Sequence, residues 1–441
     1  MTDLSPAFDR PASPDAPAPL SPAPAVLASA AEIAAIEEFV PYESSSALAA
    51  ASTLRDRGFT PDQVSWVLNQ AKTRTRAAVK FGERAERMLF TSAGFEQATR
   101  TAVARWHAAR FRAAGLDSVA DLGCGLGTDS WAFAEAGLSV SAVEIDPRTA
   151  ALTAHNLAEF PTARVLVGDV QDADLSQLGP APGELPASLW LDPARRDQSG
   201  GTNGPRIFDP EAFAPPLSFV RNLADTGIAM GVKMGPGLPH EHIPHGAQCQ
   251  WVSHGGSVVE AVLWFNALAQ PEVARTATLL DADPLNPRVR YEISSAHRES
   301  ATGPVGELGR YLYEPDGAIV RSHLVAELAA EVGAHLLDER IAYLSADHDI
   351  DHPALQGFRV IDTMPINDKI LKRWVREEGI GALTIKKRGV DVVPEQLRKK
   401  LLAGSKKKSG KASAAHEATL VLTRFGEGAS SQRVAIHVRP L

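Results

Sequence analysis

From Ser118 onward the chain alternates short apolar runs with longer amphipathic stretches. Residues 119–122, 139–144, 163–167, 187–191 and 227–232 read as buried parallel strands. The segments 129–136, 148–159 and 210–223 between them have helical length. This alternation predicts an α/β fold built on a doubly wound sheet. Two further runs, 248–253 and 258–265, are separated by little more than Gly255 and Gly256. That spacing predicts an antiparallel hairpin as the last strands of the sheet.

Before this block, residues 26–110 follow a helical rhythm. Ala31, Ile33, Ala34, Ile36, Phe39 and Val40 fall near one face, and Thr60 followed by Pro61 marks a helix start. Residues 1–24 are rich in Pro, Ala, Ser and Asp and predict a disordered tail. After Gln270 the periodicity weakens. A strand is expected at 289–293, a turn at 314–317 and a helix at 321–333. Strands at 382–386, 418–424 and 433–439 and a helix at 394–402 follow, with a Lys- and Ser-rich loop at 404–415.

Candidate chemistry sits at the strand ends. Asp121, Gly123, Gly125 and Gly127 join the first sheet strand to the next helix, which Thr128 or Asp129 is expected to cap. Glycines there let a ligand approach the backbone. A dinucleotide fingerprint would need its third glycine at position 128, which is Thr. The spacing here matches the S-adenosylmethionine loop of class I methyltransferases, in which the preceding acid faces the amino end of the methionine moiety. Glu144, at the end of the second strand, is placed to accept from the ribose hydroxyls. Ile145 would flank the adenine, and Asp169 would accept from its amino group. Asp146 reads as a helix cap.

The fourth strand ends in Asp192, Pro193, Ala194, Arg195 and Arg196. Enzymes that methylate amino groups of nucleic acids carry Asn/Asp-Pro-Pro-aromatic at this edge. Asp192 is expected to orient the nucleophile or take its proton, with Pro193 beside it. Arg195 replaces the aromatic, so it either stacks or pairs with a phosphate, or else it and Arg196 form ion pairs with nearby acids. His240, His242, His245, His254 and Cys249 match no zinc spacing, and no metal is expected.

Composition changes the picture in two ways. The 441 residues hold only two cysteines, Cys124 and Cys249, which excludes a disulfide framework and suits a reducing cytoplasm. No apolar run reaches the roughly 18 residues of a membrane span, and no secretory signal opens the chain. The formal net charge is −8, yet residues 369–411 hold fourteen Lys and Arg against four Asp and Glu. A basic end on an acidic body points to nucleic acid, and Lys386, Lys387 and Arg388 with Lys406, Lys407 and Lys408 supply phosphate contacts suited to shape recognition of folded RNA.

The segments 80–90 and 94–100, the loop 121–127 and the edge 191–196 together resemble bacterial class I methyltransferases that carry a THUMP-like C-terminal domain. The tail at 383–391, 394–398 and 420–424 is similar to that domain. More distantly the core resembles trimethylguanosine synthases, whose edge holds Pro-Pro-Trp where this chain has Pro193, Ala194 and Arg195. The resemblance implies a Rossmann-like domain over 111–268 behind a helical region at 25–110. An α/β connecting region at 269–365 and an α+β THUMP-like domain at 366–441 complete the division. It implies S-adenosylmethionine as cofactor and RNA, of the tRNA or rRNA kind, as partner; no obligate protein partner is evident. Two alternatives stay open: a small-molecule methyltransferase, and an RNA-binding protein without catalysis.

Overall fold

The computed structural model describes residues 20–26, 28–194, 209–403, 416–425 and 432–441. Ten strands form one sheet: β1 (Ser21–Pro22), β2 (Ser118–Leu122), β3 (Ser139–Glu144), β4 (Ala163–Val167), β5 (Ser188–Leu191), β6 (Ala229–Met234), β7 (Gln248–His254), β8 (Ser257–Phe265), β9 (Arg275–Leu280) and β10 (Val289–Ser295). Their order is β1-β4-β3-β2-β5-β6-β8-β7-β9-β10. The five from β4 to β6 are parallel, while β8 runs antiparallel between β6 and β7. The strand order reverses between β2 and β5, so a crevice opens at their carboxyl ends. Those ends carry Asp121 and Asp192.

Period-two alternation sorts the side chains of β5 to two cores. Leu189 and Leu191 pack with Leu217, Val220 and Leu223 on one face. Trp190 packs on the other with Phe111, Phe133 and Trp264. Gly231 of β6 lies between two indoles: a methyl there would stand 2.6 Å from Trp264 and 2.8 Å from Trp190.

Seven strands form a second sheet: β11 (Tyr311–Pro315), β12 (His335–Asp338), β13 (Ile341–Ala346), β14 (Leu355–Pro365), β15 (Ile380–Lys387), β16 (His416–Phe425) and β17 (Gln432–Pro440). Its near part shares a core with the first sheet, since Tyr313, Ile319, Leu328 and Leu344 join the cluster of Leu189 and Trp251. Its far part has a core of its own around Leu371, Val375, Leu397, Leu420 and Ala435, under the helices Asp368–Glu377 and Pro394–Leu402.

Several expectations are corrected. Ser21 and Pro22, placed in the disordered tail, pair antiparallel with Val167 and Leu166; residues 1–19 lie outside the described residues. The helix expected at 210–223 begins only at Leu217, because Pro215 and Pro216 have no N–H for a helical ladder. The turn expected at 314–317 is instead the end of β11 followed by Asp316, which caps the helix Gly317–Arg321. The helix expected at 321–333 covers only Val325–Val332, after a break at His323, whose φ is 57°. The connecting segment 269–365 divides between the two sheets, β9 and β10 completing the first and β11–β14 building the second. The loop 404–415 lies outside the described residues.

Candidate functional site

The loop after β2 turns on three glycines with positive φ: Gly123 at 87°, Gly125 at 54° and Gly127 at 73°. An L side chain is strained in that region, which accounts for the residue type. The amides of Gly123 and Cys124 donate to the Val143 carbonyl of β3 at 2.9 and 3.0 Å, which pins the loop to the neighbouring strand. A methyl on Gly127 would meet the Thr153 methyl at 2.7 Å, so Gly127 serves packing behind the loop. A methyl on Gly125 would meet nothing within 4 Å, because that side faces open space.

The expected cap is not formed. Gly127 itself precedes the helix Thr128–Glu135, with no side-chain cap. Asp129 turns away to accept from His107 and Thr99. Asp121 is buried, 1% exposed, and its carboxylate accepts the hydroxyl of Ser130. Burial, followed by the charge of Asp129, pushes its pKa up to about 8. An acid held there is poised to ionise when a cation is set against it.

Glu144 holds the loop from the other side. One carboxylate oxygen accepts from the Gly125 amide and the other from the Asp146 amide, both at 3.0 Å. Burial raises its pKa while those two amides oppose the rise. Ile145 follows with 58% of its surface exposed, large for an isoleucine in a structured turn. Asp146 caps the helix Pro147–Asn156 through Arg148 and Thr149. Asp169 accepts from the Gln171 amide at 2.9 Å. Asp121, Gly123, Gly125, Glu144, Ile145, Asp169, Asp192 and Pro193 all line one cleft of about 1280 Å³. That exceeds the roughly 300–1,000 Å³ of an ordinary small-ligand site, so there is room for a cofactor and a second reactant.

The Asp192 end of the cleft contains a set of residues that the sequence does not single out. Lys233 of β6 donates to Asp192 Oδ2 at 2.5 Å and to Thr99 Oγ1 at 2.9 Å. Thr99 donates onward to Asp129 at 2.6 Å. His107 then joins Asp129 at 2.8 Å to Glu260 at 2.6 Å. Burial alone would discharge His107, but the charge of Glu260 and the bond to Asp129 hold its pKa up at about 9, so both ring nitrogens donate. A signal was available: the expected strand stopped at Val232, one residue short of a lysine within an otherwise apolar run.

The N-terminal helices also reach the cleft. Asn156 bonds the Leu89 backbone in both directions and donates to the Leu126 carbonyl of the loop at 3.1 Å. Lys80, on the helix Pro61–Phe81, donates to the Phe95 carbonyl at 2.8 Å, and burial lowers its pKa to about 8.

The basic candidates part company. Lys386 pairs with Glu314 at 2.6 Å and donates to Gln356 at 2.7 Å, and Arg388 reaches Glu314 at 3.2 Å. Only Lys387 of that triplet is exposed. Lys369, Arg376, Arg398 and Lys399 on the two helices of the far core are exposed and form no ion pair among the described residues. Arg195, Arg196 and Lys406–Lys408 lie outside the described residues. The histidines expected to hold no metal have separate surroundings: His240 stacks on Trp251 and His323, while His254 is buried in β7 beside the Asp283 carbonyl. Cys249 is buried in β7.

Residues 355–440 match the family described as THUMP domain-like. An uncharacterized S-adenosylmethionine-dependent methyltransferase of Mycobacterium tuberculosis, found in strains H37Rv and CDC 1551, is 33% identical over 390 residues. The match spans 86% of this chain and 98% of the relative. A solved structure from Porphyromonas gingivalis W83, described as a candidate methyltransferase, superposes with a TM-score of 0.66 at 18% identity. It covers 94% of this chain and all of its own, which is a likeness of fold. The β4-to-β7 order, the glycine loop and this extended identity agree: the chain belongs to the S-adenosylmethionine-dependent methyltransferases, with S-adenosylmethionine as its cofactor and a THUMP-like C-terminus.

Proposed function

We propose that the enzyme methylates a base of structured RNA, which docks on the C-terminal domain while the target base enters the cleft at Asp192. The observation that carries this reading is the set Lys369, Arg376, Arg398 and Lys399, exposed and without an ion pair among the described residues, on the helices Asp368–Glu377 and Pro394–Leu402 within the THUMP-like match. Such cations contact phosphates without reading bases. Lys387 extends the surface, whereas Lys386 and Arg388 are already paired with Glu314 and contribute less.

The cleft suits S-adenosylmethionine. Asp121 pairs with the methionine ammonium, and the open side of Gly125 admits the ligand against the loop backbone. Glu144 retains free lone pairs for the ribose hydroxyls, Asp169 accepts the adenine amino group, and the exposed Ile145 is covered by the adenine face. The cofactor supplies a methyl group on a positively charged sulfur that departs as a neutral thioether. The protein positions the acceptor for in-line attack, and such positioning supplies most of the acceleration. Asp192, with one oxygen held by Lys233, offers the other to an N–H of the nucleophile. Cys124 and Cys249 are both free, which suits a reducing, cytoplasmic setting.

Filter binding of total cellular RNA across a salt series tests the docking surface. Replacing Lys369, Arg376, Arg398 and Lys399 with Gln should lower the slope of log affinity against log salt by roughly one for each phosphate no longer neutralised. An unchanged slope, or no RNA binding at low salt, contradicts the reading.

A further inference from the structure

Asp192 is not a solitary carboxylate at the edge of the sheet. Its Oδ2 is taken by Lys233 at 2.5 Å, and about a third of its side chain is exposed to the cleft. Lys233 is itself only 7% exposed, and it comes from the neighbouring strand β6. A buried ammonium is expensive unless its donors are used. Here a second donor goes to Thr99, whose single proton is committed to Asp129. Asp129 and Glu260 in turn grip His107 from both sides. The ladder crosses the segment before the helix Thr101–Ala113, that helix, the helix after the cofactor loop and strands β5, β6 and β8. Each member is fixed by the next.

We propose that Lys233 is a positioning residue for methyl transfer, anchored through Thr99 and Asp129, that fixes the Asp192 carboxylate so that a single oxygen faces the acceptor nitrogen. The proposal rests on the assignment of Asp192 to the acceptor. A carboxylate free to rotate would offer either oxygen in several directions. One clamped by a buried ammonium offers a single acceptor direction at fixed distance from the cofactor loop, where a methyl on Gly123 would stand 3.7 Å from the Asp192 carbonyl. It also favours a nucleophile that carries an N–H or O–H, since a carbon nucleophile brings no proton donor for that oxygen.

The ionisation of Lys233 agrees with this arrangement. Burial pushes its pKa down, but the charges of Asp192, Asp129 and Glu260 more than reverse that, and the net shift is upward. Lys80 faces it across the cleft with like charge, and Asp121 stands beside Asp192. Lys233 therefore stays protonated throughout the neutral range and acts as a clamp. It does not serve as a base.

Two measurements on the full-length protein test the proposal. The first needs no acceptor: the side-chain nitrogen resonance of Lys233, assigned by its loss in Lys233→Met, is titrated in the wild type and in Asp192→Asn. The midpoint should fall in Asp192→Asn; an unchanged midpoint would overturn the pairing. The second measures transfer of labelled methyl from S-adenosylmethionine to total RNA from cells lacking the gene. Lys233→Met should lower kcat at least 30-fold and leave the calorimetric Kd for S-adenosylmethionine within twofold. Lys233→Arg should recover part of the loss, and Thr99→Val, which keeps the Lys233–Asp192 pair but removes its anchor, should lose about fivefold. Lys233→Met at wild-type kcat would overturn the proposal while leaving Asp192 in place. Full activity in Asp192→Asn would overturn the Asp192 assignment, and the clamp with it. Should the wild-type enzyme transfer no methyl to RNA, the RNA reading falls, and the lysine titration still decides the pair.

Discussion

The cleft and the basic helices use charge in opposite ways. Around the cleft, Asp121, Asp129, His107, Lys233 and Glu260 are all under 10% exposed, and each is held by named partners. On the helices Asp368–Glu377 and Pro394–Leu402, Lys369, Arg376, Arg398 and Lys399 are exposed and form no ion pair among the described residues, whereas Arg373 and Lys400 pair with Glu377 and Asp368. A buried charge must be paired at defined geometry, so its removal damages structure and chemistry together. An exposed cation acts through its field, and its removal changes long-range attraction in a salt-dependent way. Substitution should therefore separate the two regions by the kind of measurement that responds as well as by magnitude.

The largest effect is expected at Asp192. Asp192→Ala should reduce turnover by about 10²–10⁴-fold, the range typical of a positioned acid or base, while calorimetric binding of S-adenosylmethionine stays near wild type. Equal loss of cofactor binding would move Asp192 to the cofactor side of the cleft. Next comes His107, whose replacement by Gln leaves Asp129 and Glu260 buried with no cation between them. A stability loss of about 3–5 kcal/mol in urea is expected, the cost of breaking a buried pair from one side. The wild-type protein should also lose stability as pH rises from about 6.5 to about 9, because the raised pKa of His107 favours folding only while the ring is protonated. That component should be missing from His107→Gln. Gly231→Ala, which drives a methyl between Trp190 and Trp264, should cost about 1–3 kcal/mol by the same urea measurement.

A smaller effect distinguishes the Asp121 end of the cleft from the Asp192 end. Asp121, with its pKa near 8, is largely protonated at pH 7 in the free protein. Binding of a cationic ligand against it should release a proton, and affinity for S-adenosylmethionine should rise as pH is taken from 6.5 to 8. Calorimetry in buffers of different ionisation enthalpy measures that release, and Asp121→Asn should abolish it. Replacing Lys399 alone with Gln should be mildest of all, a change in RNA affinity near the low-salt limit and none in cofactor binding.

The parallel strands and the glycine loop were legible because fully buried strands are nearly continuous apolar runs and because left-handed turns demand glycine. Glu144 and Asp192 could be placed from their strand ends alone. Strand β9 escaped because half of its buried positions are polar: Thr276 and Thr278 bond Gln248 and Gln250, and Arg275, 1% exposed, donates to the carbonyls of His297, Ser322, His323 and Glu299. An apolar run is broken where Arg275, Thr276 and Thr278 are buried through hydrogen bonds beside Ala277, Leu279 and Leu280. Thr99, His107 and Glu260 escaped for another reason. Their partners lie far off in sequence, Asp129 more than twenty residues away and Lys233 and Glu260 more than a hundred, and the set meets only once the helix Thr101–Ala113 has packed on the sheet. The paired state of Lys386 and Arg388 was equally invisible, since Glu314 lies more than seventy residues away in the chain.

The central claim, methyl transfer to a base of structured RNA, is tested most directly by mass spectrometry of nucleosides from cells with and without the gene. Loss of one base-methylated nucleoside in the deleted strain, restored by the wild-type gene and not by the Asp192→Ala variant, is the predicted result. An identical nucleoside profile in the two strains would contradict it.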